Sequence, residues 1–259
     1  MSPRTRRSVI VLALAGALLA GVLAVSGGTA ATVPQPLGVH GSWRLVFDDE
    51  FSGSSLAGTR FSPGWPSTGR DPKITPDTNP STADCEDPRE VGVGSGVLSL
   101  SIVARREHCG GVSKPYAAAI VSTRGAFDFT YGYAEARIWL AGSSAIANWP
   151  TFWTDGYSWP RDGEDDIVEG SYGAACWHFH SASGGPGACS RHHYAGAWHT
   201  FGADWERGSV TYYYDGRRVA RITSAITGAP MFLVLSFSAR TPLFAPSHET
   251  IDYVRVWQH

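Results

Sequence analysis

The sequence is poor in charge. Lys, Arg, Asp and Glu make up 17% of its 259 residues, the formal net charge is −2, and no basic stripe runs along any segment. A surface that neutralises nucleic-acid phosphates needs such a stripe, so no nucleic-acid partner is expected. Helical periodicity is almost absent, and there is no internal repeat, linker or composition shift to mark a second domain. Long apolar runs are also missing, with one exception from Val9 to Val25. It follows Arg4, Arg6 and Arg7 and precedes the small residues Thr29-Ala30-Ala31. That order reads as an export signal over residues 1–31, leaving 32–259 as one secreted, extracellular domain without membrane contact after cleavage. The rival is an uncleaved anchor, for which the run is at the short end. Arg6-Arg7-Ser8-Val9 leaves twin-arginine export open beside the general route. Cysteine is scarce, four in all. In an exported chain they suggest disulfides, and three connectivities exist; sequence proximity favours Cys85 with Cys109 and Cys176 with Cys189. Zinc is the rival, but paired CxxC spacing is lacking.

What the chain has in quantity is glycine (30), proline (16) and aromatics (10 Trp, 10 Tyr, 11 Phe). Short alternating segments such as Trp43 to Phe47 and Val97 to Val103 read as strands between turns. Residues 62–90, with six prolines, read as a long loop of the kind that often carries function. Strands at this density without helices suggest an all-β sandwich or barrel.

One stretch concentrates the charge. Gly163-Glu164-Asp165-Asp166-Ile167-Val168-Glu169-Gly170 puts four carboxylates into six residues around an apolar, β-branched pair, which favours a strand over an acidic loop. Glu164 and Asp166 then share a face. Glu169 falls on the opposite face unless one β-bulge intervenes after Asp166, in which case three acids line one surface. Like charges that close cannot all stay ionised, and split pKa values suit an acid and nucleophile pair. The chemistry that fits is glycoside hydrolysis with retention, with Glu164 as nucleophile, Glu169 as acid/base and Asp166 tuning both. A calcium loop and an exposed acidic turn are the rival readings.

Neighbouring strands offer a sugar-binding surface. From Tyr131 to Trp139, alternation places Tyr133, Glu135, Arg137 and Trp139 on one face; its bland reading is an exposed strand with an ion pair. Asn148 to Trp153 puts Trp149, Thr151 and Trp153 on one face and Phe152 on the other, and Trp159 stands five residues before Glu164. Indoles can cover the C–H faces of a pyranose. His178 and His180 share a face of Trp177-His178-Phe179-His180. Each histidine has a structural hydrogen bond or a metal ligand as its rival role.

These pieces resemble, in order, glycoside hydrolase family 16 in its bulged, laminarinase-like branch. Glu164 to Glu169 matches the signature Glu-x-Asp-x-x-Glu. Trp43 to Phe51, Tyr131 to Arg137, Asn148 to Trp153, Trp198 to Phe201 with Trp205, Tyr212 to Gly216 and Ile251 to Trp257 resemble the flanking strands. The resemblance implies a β-jelly-roll sandwich of two antiparallel sheets with a concave substrate cleft. It implies a secreted, retaining endo-glycosidase acting on β-1,3- or mixed β-1,3/1,4-glucan, with a polysaccharide as partner and no cofactor for catalysis; a cleft enzyme of this size needs no partner copy, so a monomer is expected. Glu164, Asp166 and Glu169 would be catalytic, and Glu135, Arg137, Trp149, Trp153 and His180 would line the cleft, joined by Trp159 from its place beside Glu164. A structural calcium is implied on the convex face, at the backbone oxygens of Glu50 and Gly96 and the carboxylate of Asp252. The alternatives on the same fold are a transglycosylase and a non-catalytic carbohydrate-binding module. The chain departs from the family pattern at two places. Asp165 stands at an inward position, where it needs a partner or a proton, and Ser236-Phe237-Ser238-Ala239 replaces a glycine-rich strand end.

Overall fold

Alternating segments become strands wherever their apolar positions can share one buried face. In the computed structural model, which describes residues 33–68, 73–141, 148–240 and 247–259, almost every such segment does. The export signal expected at 1–31 lies outside the described residues. The first strands are β1 (Arg44–Asp49), β2 (Ser62–Pro63), β3 (Thr75–Pro76), β4 (Asp84–Glu86), β5 (Val91–Gly94) and β6 (Val97–Ile102). The short strands β7 (Glu107–Cys109) and β8 (Val112–Lys114) pair only with each other. They lead to β9 (Tyr116–Ser122), β10 (Gly132–Trp139), β11 (Asn148–Gly156), β12 (Glu164–Ser171) and β13 (Ala174–His180). The chain closes with β14 (Gly187–Cys189), β15 (Trp198–Glu206), β16 (Ser209–Tyr214), β17 (Arg217–Ile222), β18 (Met231–Ala239) and β19 (Ser247–Gln258).

Two sheets result. One runs β17-β16-β15-β10-β19-β6-β5, with β1 also on β19; the other runs β14-β13-β12-β11-β18-β9-β4-β3, with β2 on β9. Pairing is antiparallel except where β4 runs parallel to β9. Between the sheets lies one apolar core, to which Ala134, Ala136, Ile138, Phe201 and Trp205 contribute from the first and Phe152, Ile167, Phe179, Leu235 and Phe237 from the second. This is the β-jelly-roll sandwich.

The proline-rich stretch 62–90, expected to be a loop, is partly sheet. Its prolines keep the pieces short and near the edge of the sheet, where a missing N–H is tolerated, yet all three residues of β4 are buried. The disulfides join Cys85 to Cys109 and Cys176 to Cys189, which is the proximity pairing.

Candidate active site

β12 is preceded by Gly163, whose φ of +98° is left-handed; a Cβ there would fall 2.3 Å from Thr227 Oγ1, so the position requires glycine. Further along, Asp166 pairs with His178 and Glu169 with Cys176, leaving Ile167 and Val168 together opposite Trp177 alone. This is the one-residue bulge that the spacing predicts. Because of it two consecutive apolar side chains, Ile167 and Val168, both enter the core, and Glu164, Asp166 and Glu169 all face one cleft of about 840 Å³.

The acids sit in different surroundings. Glu169 Oε1 accepts from Trp149 Nε1 at 3.1 Å, and its Oε2 lies 2.5 Å from His178 Nδ1. Burial, then the charges of Glu169 and Glu164, hold the Asp166 carboxyl well above the usual carboxylate range, which favours its protonated form. His180 Nε2 is 3.2 Å from Asp166 Oδ2. Burial also raises Glu164, opposed by hydrogen bonds from Trp159 and Asp166. A protonated Asp166 donating to Glu164 keeps charge on the latter. The hydrogen bond to Glu169 raises His178, whereas burial and then the charge of His178 lower His180.

Trp149, Trp153 and Trp159 line the same cleft, as does His180. Trp159 is 62% exposed, so a broad indole face is open to a ligand. The sequence pattern missed several other lining groups. Trp65 comes from a stretch with no periodicity to read, Arg240 lies 4.6 Å over the Trp149 ring, and Asp155 is pushed up to about 7 by burial and the nearby Glu164. His178 was legible as sharing a face with His180, but its tie to Glu169 was not.

Two expected cleft residues lie elsewhere. Glu135 and Arg137 do share a face, but β10 belongs to the sheet without the acids, and that face points outward. Glu135 is 1% exposed and accepts from Leu37 N and Tyr253 Oη, each at 2.9 Å, while Arg137 pairs with Asp252 at 2.6 Å and stacks on Trp198. The ion pair of the bland reading, on the outward face of β10, describes Arg137.

That pair also bears on calcium. Asp252 Oδ2 is held by Arg137, and the Glu50 carboxylate by Arg255. Gly96 lies in the β5–β6 turn. With Asp252, the one carboxylate of the expected set, already paired with an arginine, these residues as they stand do not make a ready cage for an ion that takes about 6–8 oxygens.

Asp165 turns into the core at 2% exposure and finds a tyrosine there, not an arginine: Tyr212 Oη donates to Oδ1 at 2.7 Å. Burial pushes Asp165 up to about 7. At the other departure, Ser236 Oγ lies 2.6 Å from Thr151 Oγ1, and Ser238 Oγ donates to Glu86.

No family model matches the chain. A curated relative, the endo-1,3-1,4-beta-glycanase ExsH of Rhizobium meliloti (strain 1021), is 27% identical over 199 residues, covering 69% of this chain and 42% of its own length. The chain thus spans less than half of that protein. Among solved structures, the laminarinase catalytic domain of Thermotoga maritima superposes with a TM-score of 0.73 at 20% identity, covering 85% of this chain and 99% of that one. SCLam, a non-specific endo-β-1,3(4)-glucanase from glycoside hydrolase family 16, gives 0.72 at 23% identity over 86% and 94%. These likenesses establish the fold, and the relatives bear out the resemblance to laminarinase-like members of family 16.

Proposed function

We propose that this chain is a family 16 glycoside hydrolase that cuts β-1,3- or mixed β-1,3/1,4-glucan internally and with retention. The observation that carries the reading is the bulge in β12, which brings Glu164, Asp166 and Glu169 to one cleft beside three indoles. The names of the relatives, an endo-1,3-1,4-glycanase and two glucanases, supply the substrate class.

In this reading Glu164 attacks the anomeric carbon while Glu169 gives its proton to the leaving oxygen, and Glu169 then takes a proton from the water that releases the sugar. The proton on Asp166 lets it donate to Glu164 in the resting state, and that hydrogen bond loosens as Glu164 forms its ester. Trp149 and His178 fix the Glu169 carboxyl, so its reactive oxygen is held in place before substrate arrives. Trp149, Trp153 and Trp159 supply flat faces for pyranose rings. The cleft is complete within one chain, which fits a monomer, and two disulfides fit an oxidising, extracellular setting.

The test is reducing-end release from laminarin and lichenan, with xyloglucan and agarose as controls. Glu164→Gln and Glu169→Gln are expected to keep the fold and lose release; near-normal turnover in either removes the assignment. NMR of the first-formed product reads the anomeric proton, and inversion there refutes the double displacement.

A further inference from the structure

Beside the cleft wall, away from β12, β4 carries two acids with no exposed surface. Asp84 and Glu86 alternate with Cys85 and so share a face, and both are 0% exposed. Asp77, from the segment between β3 and β4, approaches from the cleft that it helps line. One carboxylate oxygen from each of the three lies within 4.8 Å of the other two. Part of this cluster is satisfied: Ala239 N–H donates to Asp84 Oδ2, Ser238 Oγ to Glu86 Oε1 at 3.2 Å, and Asn79 N–H to Asp77 Oδ1 at 2.7 Å. Asp84 Oδ1 and Glu86 Oε2, however, are buried with no hydrogen-bond partner among the described residues. An unpaired carboxylate oxygen inside a protein is costly unless a proton or a cation meets it.

Lys114, whose Nζ donates to Thr82 O at 2.8 Å, acts on Asp77 and Asp84. Arg89 and Arg105 are taken by Asp87, Glu90 and Glu107. Three carboxylates face one ammonium, and burial pushes Asp84 up to about 7 and, with the charges of Asp84 and Asp77, holds Glu86 well above the usual carboxylate range, so the cluster takes up either protons or a cation.

We propose that Asp77, Asp84 and Glu86 bind a hard divalent cation, calcium, which ties the cleft wall to β4 and β18. Three oxygens that all lie within 4.8 Å of one another leave a central point no more than about 2.8 Å from each, close to the ~2.3–2.6 Å of calcium–oxygen bonds. Water from the cleft side completes the shell, entering past Asp77. The site is distinct from Glu50, Gly96 and Asp252, and it does not depend on the glycosidase reading.

The test uses the purified protein stripped with EDTA, then titrated with CaCl₂ alone and followed by thermal unfolding, with Tb³⁺ luminescence as a second readout. A ligand that binds only the folded state raises Tm as its concentration passes Kd. Calcium is expected to raise Tm by several degrees in the wild type and in Asp252→Asn. Asp77→Asn and Glu86→Gln are expected to weaken calcium and terbium binding at least tenfold. Should Glu86→Gln fail to fold, Asp77→Asn decides, since its side chain borders the cleft. No calcium-dependent shift in the wild type overturns the proposal and leaves a shared proton as the occupant. A shift that survives Asp77→Asn, or that disappears in Asp252→Asn, overturns it equally.

Discussion

His178 Nδ1 lies 2.5 Å from Glu169 Oε2, and that hydrogen bond raises the imidazole above its usual 6.5 although burial opposes it. A histidine with a raised folded pKa adds stability that is fully present below about 6.5 and lost as pH climbs through the folded value. The pair is partly open to solvent, so about 1 kcal/mol is the ceiling. His178→Gln should therefore melt below the wild type at pH 6, with the gap closing by pH 9. A gap that widens with pH would show that the histidine is held neutral.

The division of labour between Glu164 and Glu169 is separable by chemical rescue. Removing an acid/base by Glu169→Ala should cost roughly 10²–10⁴-fold on laminarin. Azide can then take the place of water at the glycosyl-enzyme and give the β-azide. With Glu164→Ala the vacated face admits azide directly, giving the α-azide. Product NMR distinguishes the two, and the opposite pairing of variant with anomer would exchange the assigned roles.

Period-two alternation made the faces of β10, β11 and β12 legible, and the five-residue step from Glu164 to Glu169 showed that one bulge was needed to bring all three acids together. Alternation says which residues share a face but not which sheet that face belongs to, which is why Glu135 and Arg137 read as cleft residues and prove to lie on the outward face of β10, in the sheet without the acids. Long-range partners were invisible for the same reason: Tyr212, 47 residues from Asp165, supplies the hydrogen bond that the sequence required without naming. Trp65 joins the cleft from a segment without periodicity, so no pattern marked it.

Asp165, buried in the core, and Asp155, half-buried at the cleft, both tilt the stability profile toward acid. Burial pushes Asp165 and Asp155 from 3.8 up to about 7. A carboxyl whose folded pKa is raised adds stability that is complete below the unfolded value and lost as pH rises through the folded one. The protein should thus be more heat-stable near pH 4.5 than at pH 7.5. Asp165→Asn still accepts from Tyr212 and should flatten that slope, as differential scanning calorimetry across the range would show; an unchanged slope would mean that Asp165 does not titrate there.

The Cys176–Cys189 disulfide should matter to the site as well as to stability. Cys176 is the β13 residue opposite Glu169, at the far side of the bulge, and the disulfide closes a separation of 13 residues between β13 and β14. Losing a native disulfide costs about 2–5 kcal/mol, which in a domain of this size corresponds to a drop of roughly 4–20 °C in Tm. The Cys176→Ala/Cys189→Ala variant should show that drop and, because the edge that braces the bulge is loosened, a lower kcat on laminarin at a temperature where it remains folded. The Cys85→Ala/Cys109→Ala variant, whose disulfide joins β4 to β7, should lose Tm while keeping kcat. If both variants keep kcat, the bulge is held by its hydrogen-bonded neighbours alone, with Tyr214 Oη, which donates to Ile167 O at 2.9 Å and to Cys176 O at 3.1 Å, as the brace.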